Sequence, residues 1–314
     1  MNQTGNKNYS ENNILVLYKA ELILLFVTFL WGLTFPLIKL SLNTVSPVLF
    51  NFIRFSLTLL LFLILFKSKL KNVSFRELKP GLLLGLFMVL GFIFQTIGLQ
   101  FTTATKSAFI TASNLIFIPV IQYFVLRSKP KLTSLLGAMV VLAGLYILSE
   151  SFEIIPNTGD ILTLFCAFFF AIHIVLLNKF SESADLNILI LGQFVTSAAL
   201  GLFFTFFYEY LIMDEIKFTS EPVLIITLIY TTIFSTLISI VLMTKYQHLT
   251  TPLRAGIIYN MEPLFALLFA YIILNEIMNS NQITGAVIMV CGLLISEFTG
   301  ITNLRKLFWK KELK

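Results

Sequence analysis

Long apolar stretches alternate along the chain with short segments of charged and turn-forming residues. A transmembrane helix needs about 20 mainly apolar residues to cross the hydrocarbon layer. The pattern predicts ten such spans, numbered in chain order: 22–41, 48–66, 81–100, 107–126, 132–149, 159–178, 187–209, 222–244, 253–275 and 281–299. The predicted fold class is therefore an all-α integral membrane protein, with a disordered N-terminus at residues 1–20 and a basic tail at residues 301–314.

The composition supports the membrane prediction. Of the 314 residues, 57% are apolar and 12% are charged, whereas ordinary soluble domains contain about 25% charged residues. A soluble enzyme, a disordered chain and a nucleic-acid-binding protein are therefore poor interpretations, although the net charge is +6. Cys166 and Cys291 lie in separate apolar runs, which argues against a disulfide or a metal cluster.

The distribution of lysine and arginine predicts the orientation. Basic residues fill the loops after spans 2 and 4 and the tail after span 10, whereas the loops after spans 5 and 9 contain none. Because short cytoplasmic loops are enriched in lysine and arginine, both termini are predicted to face the cytoplasm, with the protein in the plasma membrane. Phe308 and Trp309 stand among lysines in the tail, which predicts that the tail contacts lipid at the inner interface.

The two halves of the chain resemble each other. An offset of 148 residues aligns spans 4 and 5 with spans 9 and 10 and places Thr102 on Thr250, Lys106 on Arg254 and Gly137 on Gly285. An offset of 139 residues aligns spans 1 and 2 with spans 6 and 7, a weaker match. Since five spans is an odd number, the repeats at 21–150 and 158–300 are predicted to cross the membrane in opposite directions, as in many secondary transporters.

Several short motifs occur in an order that is similar to a known family. They are Trp31-Gly32, Arg54, Gly159-Asp160, Glu262-Pro263, Asn275-Glu276, Gly285 and Gly292. Their order and spacing resemble those of EamA-type members of the drug/metabolite transporter superfamily, over about residues 20–300. The resemblance implies a plasma-membrane carrier, commonly an exporter of amino acids, metabolites or drugs, with a central cavity between the repeats. Span 4 departs from the pattern, because Asn114 stands at the position that matches Glu262.

Glu262 is the main candidate for a binding residue. It lies near the middle of span 9, where an ionisable group costs about 2.5–3.5 kcal/mol and is expected to face other helices or a wet cavity. Tyr259 is predicted to share its helical face, and Pro263 leaves the carbonyl of Tyr259 without its helical donor. Glu262 either binds an amino group of a substrate, carries a proton, or bridges helices through a hydrogen bond.

Other polar and aromatic side chains inside the spans are further candidates for the substrate site, with structural packing or hydrogen bonding as the alternative for each. They are Trp31 and Thr34 in span 1, Gln95 in span 3, Thr111 and Asn114 in span 4, and His173 in span 6.

Three basic residues are candidates for structural or gating charges. Arg54 in span 2 is predicted to reach the outer headgroups, to pair with a carboxylate, or to hold an anionic substrate group. Lys106 and Arg254 begin spans 4 and 9 on opposite sides of the membrane, either as gates or as interfacial anchors. Gly137, Gly144 and their repeat partners predict close packing between spans 5 and 10, with a second protomer as the alternative partner.

The chain contains none of the sequence motifs that mark common membrane enzymes or ATP-driven transport, and no metal or cofactor is predicted. The sequence therefore predicts a secondary transporter for a small polar or amphipathic molecule, with proton coupling through Glu262 as one source of energy. A membrane receptor or a membrane enzyme with unrecognised chemistry remains the alternative.

Overall fold

The computed structural model describes residues 11–70, 73–149, 157–214, 216–274 and 279–312, and nearly all of them are helical. Among these residues, seven helical segments are long and apolar enough to cross a membrane, and Leu132–Leu148 and Ser280–Ser296 are shorter apolar helices. Together with the two halves of span 9, they confirm the predicted all-α membrane fold of two inverted five-helix repeats.

The ten spans have the following bounds. Span 1 is Glu11–Gly32 and Thr34–Ser41, span 2 is Pro47–Phe66, span 3 is Phe75–Phe101, span 4 is Ala104–Ala112 and Asn114–Leu126, span 5 is Leu132–Ser149, and span 6 is Thr158–Ser181. Span 7 is Leu186–Phe204 followed by the π-helix Thr205–Ile212, span 8 is Pro222–Tyr230, the π-helix Thr231–Ile238 and Ser239–Tyr246, span 9 is Pro252–Tyr259 and Glu262–Leu274, and span 10 is Ser280–Glu312.

The ends of the chain differ from the sequence prediction. Span 1 begins at Glu11, so residues 11–20, which the sequence predicted to be disordered, are helical in the structure. The helix of span 10 continues to Glu312, through most of the predicted tail. Residues 1–10 and the Asn275-Glu276 motif lie outside the described residues.

Spans 1, 4 and 9 are each broken into two half-helices, whereas the sequence predicted continuous helices. The breaks fall at Leu33, at Ser113 and at Asn260–Met261. At each break a side chain bonds a main-chain carbonyl: Thr34 that of Trp31, Ser113 that of Ile110, and Asn260 that of Gly256. Such bonds compete with the helical ladder, and Pro36 and Pro263 cannot donate to it. The breaks in spans 4 and 9 occupy equivalent repeat positions.

The two repeats run in opposite directions through the bundle. Span 1 carries Glu21 at one end of the molecule, where Glu21 contacts Arg254 at the start of span 9. Span 6, the equivalent span of the second repeat, begins at the other end, where Asp160 contacts Lys106 at the start of span 4. We call these the Glu21 end and the Asp160 end. Equivalent spans therefore begin at opposite ends.

Glycines bring spans 5 and 10 into close contact, as the sequence predicted. A Cβ atom at Gly144 would lie 2.7 Å from the carbonyl oxygen of Gly285, and one at Gly137 would lie 2.6 Å from that of Gly292. These contacts are related by the repeat, because Gly137 is equivalent to Gly285 and Gly144 to Gly292. The stripe is occupied within the chain, so it does not offer its surface to a second protomer.

Candidate functional site

A cavity lies between the two repeats, with walls from spans 1, 3, 4, 6, 8 and 9. Its volume is about 70 Å³. That space is large enough for several water molecules. The cavity brings together all the residues that the sequence predicted to bind substrate: Trp31, Thr34, Gln95, Thr111, Asn114, His173, Tyr259 and Glu262.

Glu262 lines the cavity at the start of the second half of span 9. The break in span 9 separates it from Tyr259, so the predicted continuous face is wrong, yet both residues border the same space. The described residues give the carboxylate of Glu262 neither a hydrogen bond nor an ion pair. Glu262 is partly buried, and because a poorly solvated charge is costly, a proton or a cationic group of a ligand would be a favourable partner for this carboxylate.

Two aromatic rings stand in the same wall. The centroids of Trp31 and Tyr259 are 5.4 Å apart, with the rings tilted by 53°. Trp31 Nε1 donates to the carbonyl oxygen of Ser235 at 3.0 Å, and the Tyr259 hydroxyl donates to Gln247 Oε1 at 3.1 Å. The polar atoms of both rings are therefore already bonded, which fixes the rings as rigid apolar walls.

Side-chain amides connect the helix breaks to each other. Asn260 Nδ2, at the break in span 9, donates to Asn114 Oδ1, beside the break in span 4, at 3.0 Å. Gln95 Nε2 donates to Thr111 Oγ1 at 3.2 Å and so joins span 3 to span 4. The breaks in spans 4 and 9 therefore meet at the cavity. The sequence repeat showed that the two positions are equivalent, but it did not predict that they contact each other.

His173 and Thr34 are equivalent under the offset of 139 residues, and both line the cavity. His173 Nε2 lies 2.9 Å from Oε1 of the buried Gln193 in span 7. Thr34 donates to the carbonyl oxygen of Trp31 at 2.7 Å. Both side chains thus make structural hydrogen bonds while they border the cavity.

Arg54 is fully buried, so the expectation that it reaches the outer headgroups is wrong. Its Nε donates to Thr236 Oγ1 at 2.5 Å, and its Nη2 donates to Ser235 Oγ at 3.0 Å. Its Cζ lies 4.5 Å from the ring centroid of Phe92, which lines the cavity. Among the described residues Arg54 has no carboxylate partner, and its Nη1 has no hydrogen bond.

The two other predicted charges form ion pairs between the repeats. Lys106 Nζ lies 2.8 Å from Asp160 Oδ2, and Arg254 Nη2 lies 2.7 Å from Glu21 Oε1. The side chains are 15% and 6% exposed in the first pair and 7% and 9% exposed in the second. Each pair joins the first half of a broken span to the first span of the other repeat: Lys106 to the start of span 6, and Arg254 to span 1 ten residues after its first residue, Glu11.

Threonines complete the two pairs in the same way. Thr102 donates to Asp160 Oδ1 at 2.9 Å, and Thr250 donates to Glu21 Oε1 at 3.1 Å. The offset of 139 residues that relates spans 1 and 6 also takes Glu21 to Asp160. Sequence reasoning missed both carboxylates as gate partners, although extending that offset to the start of span 1 would have found them.

Sequence reasoning also missed Ser235 and Asn260, which line the cavity. The sequence contained a weak signal for each of them. Asn260 lies two residues before Glu262, and Ser235 belongs to a run of hydroxyl residues in span 8. Neither signal distinguishes a cavity residue from an ordinary contact between helices.

Comparison with known proteins identifies a transporter family and relatives that are named as transporters. The EamA-like transporter family matches this chain twice, at residues 18–150 and 157–298. A protein of Archaeoglobus fulgidus named as an uncharacterized transporter is 32% identical over 280 residues, which cover 88% of this chain and 85% of the relative. The uncharacterized transporter YoaV of Bacillus subtilis is 26% identical over 288 residues, covering 90% and 97%.

A solved crystal structure has the same fold. It superimposes with a TM-score of 0.72 at 14% identity, covering 91% of this chain and 98% of the other.

Proposed function

Because the chain belongs to the EamA-like transporter family, we propose that it is a secondary transporter that exports a small polar or amphipathic solute by alternating access. Membership implies a multi-pass membrane transporter rather than an enzyme. The observation that carries the finer proposal is the cavity between two inverted repeats, lined by Glu262 and by neutral polar side chains. Rocking of one repeat against the other exposes such a site to each side in turn.

Glu262 binds either an amino group of the solute or a proton in this mechanism. Its carboxylate has no protein partner among the described residues, and a lone charge at membrane depth costs about 2.5–3.5 kcal/mol. A proton and an ammonium group therefore compete for the same carboxylate. This competition couples solute movement in one direction to proton movement in the other.

The Lys106–Asp160 and Arg254–Glu21 pairs act as the two gates. Both pairs are formed here, so the repeats are joined at the Asp160 end and at the Glu21 end together. Opening toward one side requires that one pair separates while the other holds the repeats together. The distribution of basic loops supports a cytoplasmic Glu21 end and an outer Asp160 end, with both termini cytoplasmic in the plasma membrane.

The test of function is solute flux in liposomes that contain the purified protein, with and without a pH gradient. The solutes are chosen by comparing metabolites in the growth medium of cells with and without the gene. We expect solute movement that is driven by proton movement in the opposite direction. Glu262→Gln abolishes gradient-driven flux, whereas Glu182→Gln, at an exposed position, retains it.

Normal gradient-driven flux in the Glu262→Gln protein would show that Glu262 is not the proton carrier. Absence of flux for every solute, together with an unchanged growth medium, would refute the transporter proposal. Binding of a labelled ligand without flux would then favour the receptor alternative.

A further inference from the structure

Arg54 is a buried cation next to the cavity wall. Its side chain is fully buried, and its partners are two hydroxyl groups and the rings of Phe55 and Phe92. Within the described part of the chain no carboxylate pairs with it, and Nη1 has no acceptor. A buried charge without a counter-charge is costly. The site is therefore incomplete without an anion nearby.

Ser235 contacts this cation and is also one of the residues that line the cavity. Its hydroxyl oxygen accepts from Arg54 Nη2 at 3.0 Å, and the residue lines the cavity. A serine hydroxyl is one donor as well as an acceptor, and no described residue accepts its hydrogen. A hydroxyl that accepts from a guanidinium group is a stronger donor, because hydrogen bonds in a chain polarise one another.

The main chain of Ser235 is held in place separately. Trp31 Nε1 donates to its carbonyl oxygen at 3.0 Å. Ser235 and Thr236 lie in the π-helix Thr231–Ile238, a local distortion that is frequent at functional sites. The hydroxyl is thus a positioned donor, backed by a positive charge, and it belongs to a residue of span 8 that lines the cavity while only 1% exposed.

Glu262 gives the cavity a charge of the opposite sign. It is the one acidic residue in the described lining, and it comes from span 9. Phe92, Phe170 and Met243 form apolar walls of the same cavity. The lining therefore contains an acceptor for a cationic group, a charge-backed donor for an anionic group, and apolar surface for the body of a ligand.

We infer that Ser235, with Arg54 behind it, is a carboxylate subsite, and that the solute is a zwitterion whose ammonium group faces Glu262 while its carboxylate faces Ser235. This inference rests on the proposed function, because it names the ligand of the same cavity. Arg54 acts through Ser235 and is a positioning residue. A carboxylate at Ser235 supplies the negative charge that Arg54 lacks among the described residues.

Fluorescence of Trp31 offers a direct binding test. The chain contains two tryptophans, so the Trp309→Phe protein reports on Trp31 in the cavity wall. The twenty proteinogenic amino acids are titrated in turn. For each one that binds, its decarboxylated amine and its deaminated acid are titrated as matched probes. At least one amino acid is expected to bind, with both matched probes at least tenfold weaker.

Ser235→Ala separates the subsite from the rest of the cavity. It is expected to weaken binding of the amino acid by about tenfold or more, as loss of a charge-assisted hydrogen bond predicts, and to leave the matched amine unchanged. Ser235→Thr, which keeps the hydroxyl, restores most of the affinity. Ser239→Ala is the control, since Ser239 is buried in the same span but bonds the carbonyl of Phe234.

Three results would overturn the inference: an amine that binds as tightly as its amino acid, equal weakening of both by Ser235→Ala, or no response of Trp31 fluorescence to any amino acid. The flux assay tests the transporter proposal independently of the carboxylate subsite. Gradient-driven export of an amine or of a neutral solute would leave the transporter proposal standing while the carboxylate subsite fails.

Discussion

Breaking one ion pair at a time is expected to move the protein toward opposite open states. Asp160→Asn removes the charge that faces Lys106, and Glu21→Gln removes the charge that faces Arg254. Each variant replaces a carboxylate by its amide and retains an oxygen that accepts from the adjacent threonine. In Asp160→Asn the other carboxylate oxygen, which accepts from the Asn157 N–H, is lost as well. The first variant is expected to favour opening at the Asp160 end, and the second to favour opening at the Glu21 end.

The geometry of the pairs sets the size of the effect. The ion-pair distances are 2.8 and 2.7 Å, and all four side chains are at most 15% exposed. A hydrogen bond to a charged group contributes about 1.5–3 kcal/mol. In the proposed mechanism the pair is intact in the closed state and absent in the open state, so losing about 2 kcal/mol shifts that equilibrium by about 30-fold.

Cysteine accessibility in the cavity measures the shift. Alanine replaces the two native cysteines, Cys166 and Cys291, and Thr34→Cys places one thiol in the cavity wall. A membrane-impermeant maleimide is then added to the outside of intact cells. Labelling is expected to become about 30-fold faster in Asp160→Asn and slower in Glu21→Gln, whereas Glu182→Gln leaves the rate unchanged.

Exchanging the two charges of the Lys106–Asp160 pair is expected to restore the ion pair. The Lys106→Asp, Asp160→Lys double variant is expected to return the labelling rate toward that of the parent. Equal changes in Asp160→Asn and Glu21→Gln, or unchanged rates in both, would refute the gate argument and leave the pairs with a purely structural role.

Two further predictions concern stability. Gly144→Val is expected to lower the unfolding temperature, because a Cβ there meets the carbonyl oxygen of Gly285 at 2.7 Å and overpacking costs about 1–3 kcal/mol. Met139→Val, at an exposed position of the same span, is the control. An unchanged unfolding temperature in Gly144→Val would contradict the close packing of spans 5 and 10. Asn114→Ala and Asn260→Ala are expected to couple by about 1 kcal/mol in a double-mutant cycle of unfolding, and additive effects would show that their 3.0 Å hydrogen bond contributes nothing.

The cavity residues could be predicted largely from the sequence. Few ionisable residues occur inside the spans, and water-free hydrocarbon favours the interior of the bundle for them and for uncharged polar side chains. Glu262, Asn114 and His173 were accordingly expected at the centre, and they line one cavity. The glycine packing of spans 5 and 10 was predictable for a similar reason, since small residues at helical spacing permit close approach.

The partners of the charged groups could not be predicted in this way. Arg54 lies 181 positions from Ser235, and Glu21 lies far from Arg254 in sequence. A short motif carries no information about which distant side chain will stand within 3 Å. The helix breaks were also missed, because proline marks the carbonyl that loses its donor but does not show where the chain bends.

The alternation of apolar and polar segments by itself determined the ten crossings, and their odd number per repeat determined the inversion, since each crossing reverses the direction of the chain. Only the tertiary structure decided that Arg54 is buried behind Ser235, that the breaks of spans 4 and 9 meet, and that equivalent ion pairs join the repeats at both ends. The physical reason is the separation in sequence of the residues involved. The length of an apolar stretch is a local property of the chain, whereas a hydrogen bond or an ion pair between spans depends on how distant segments pack together.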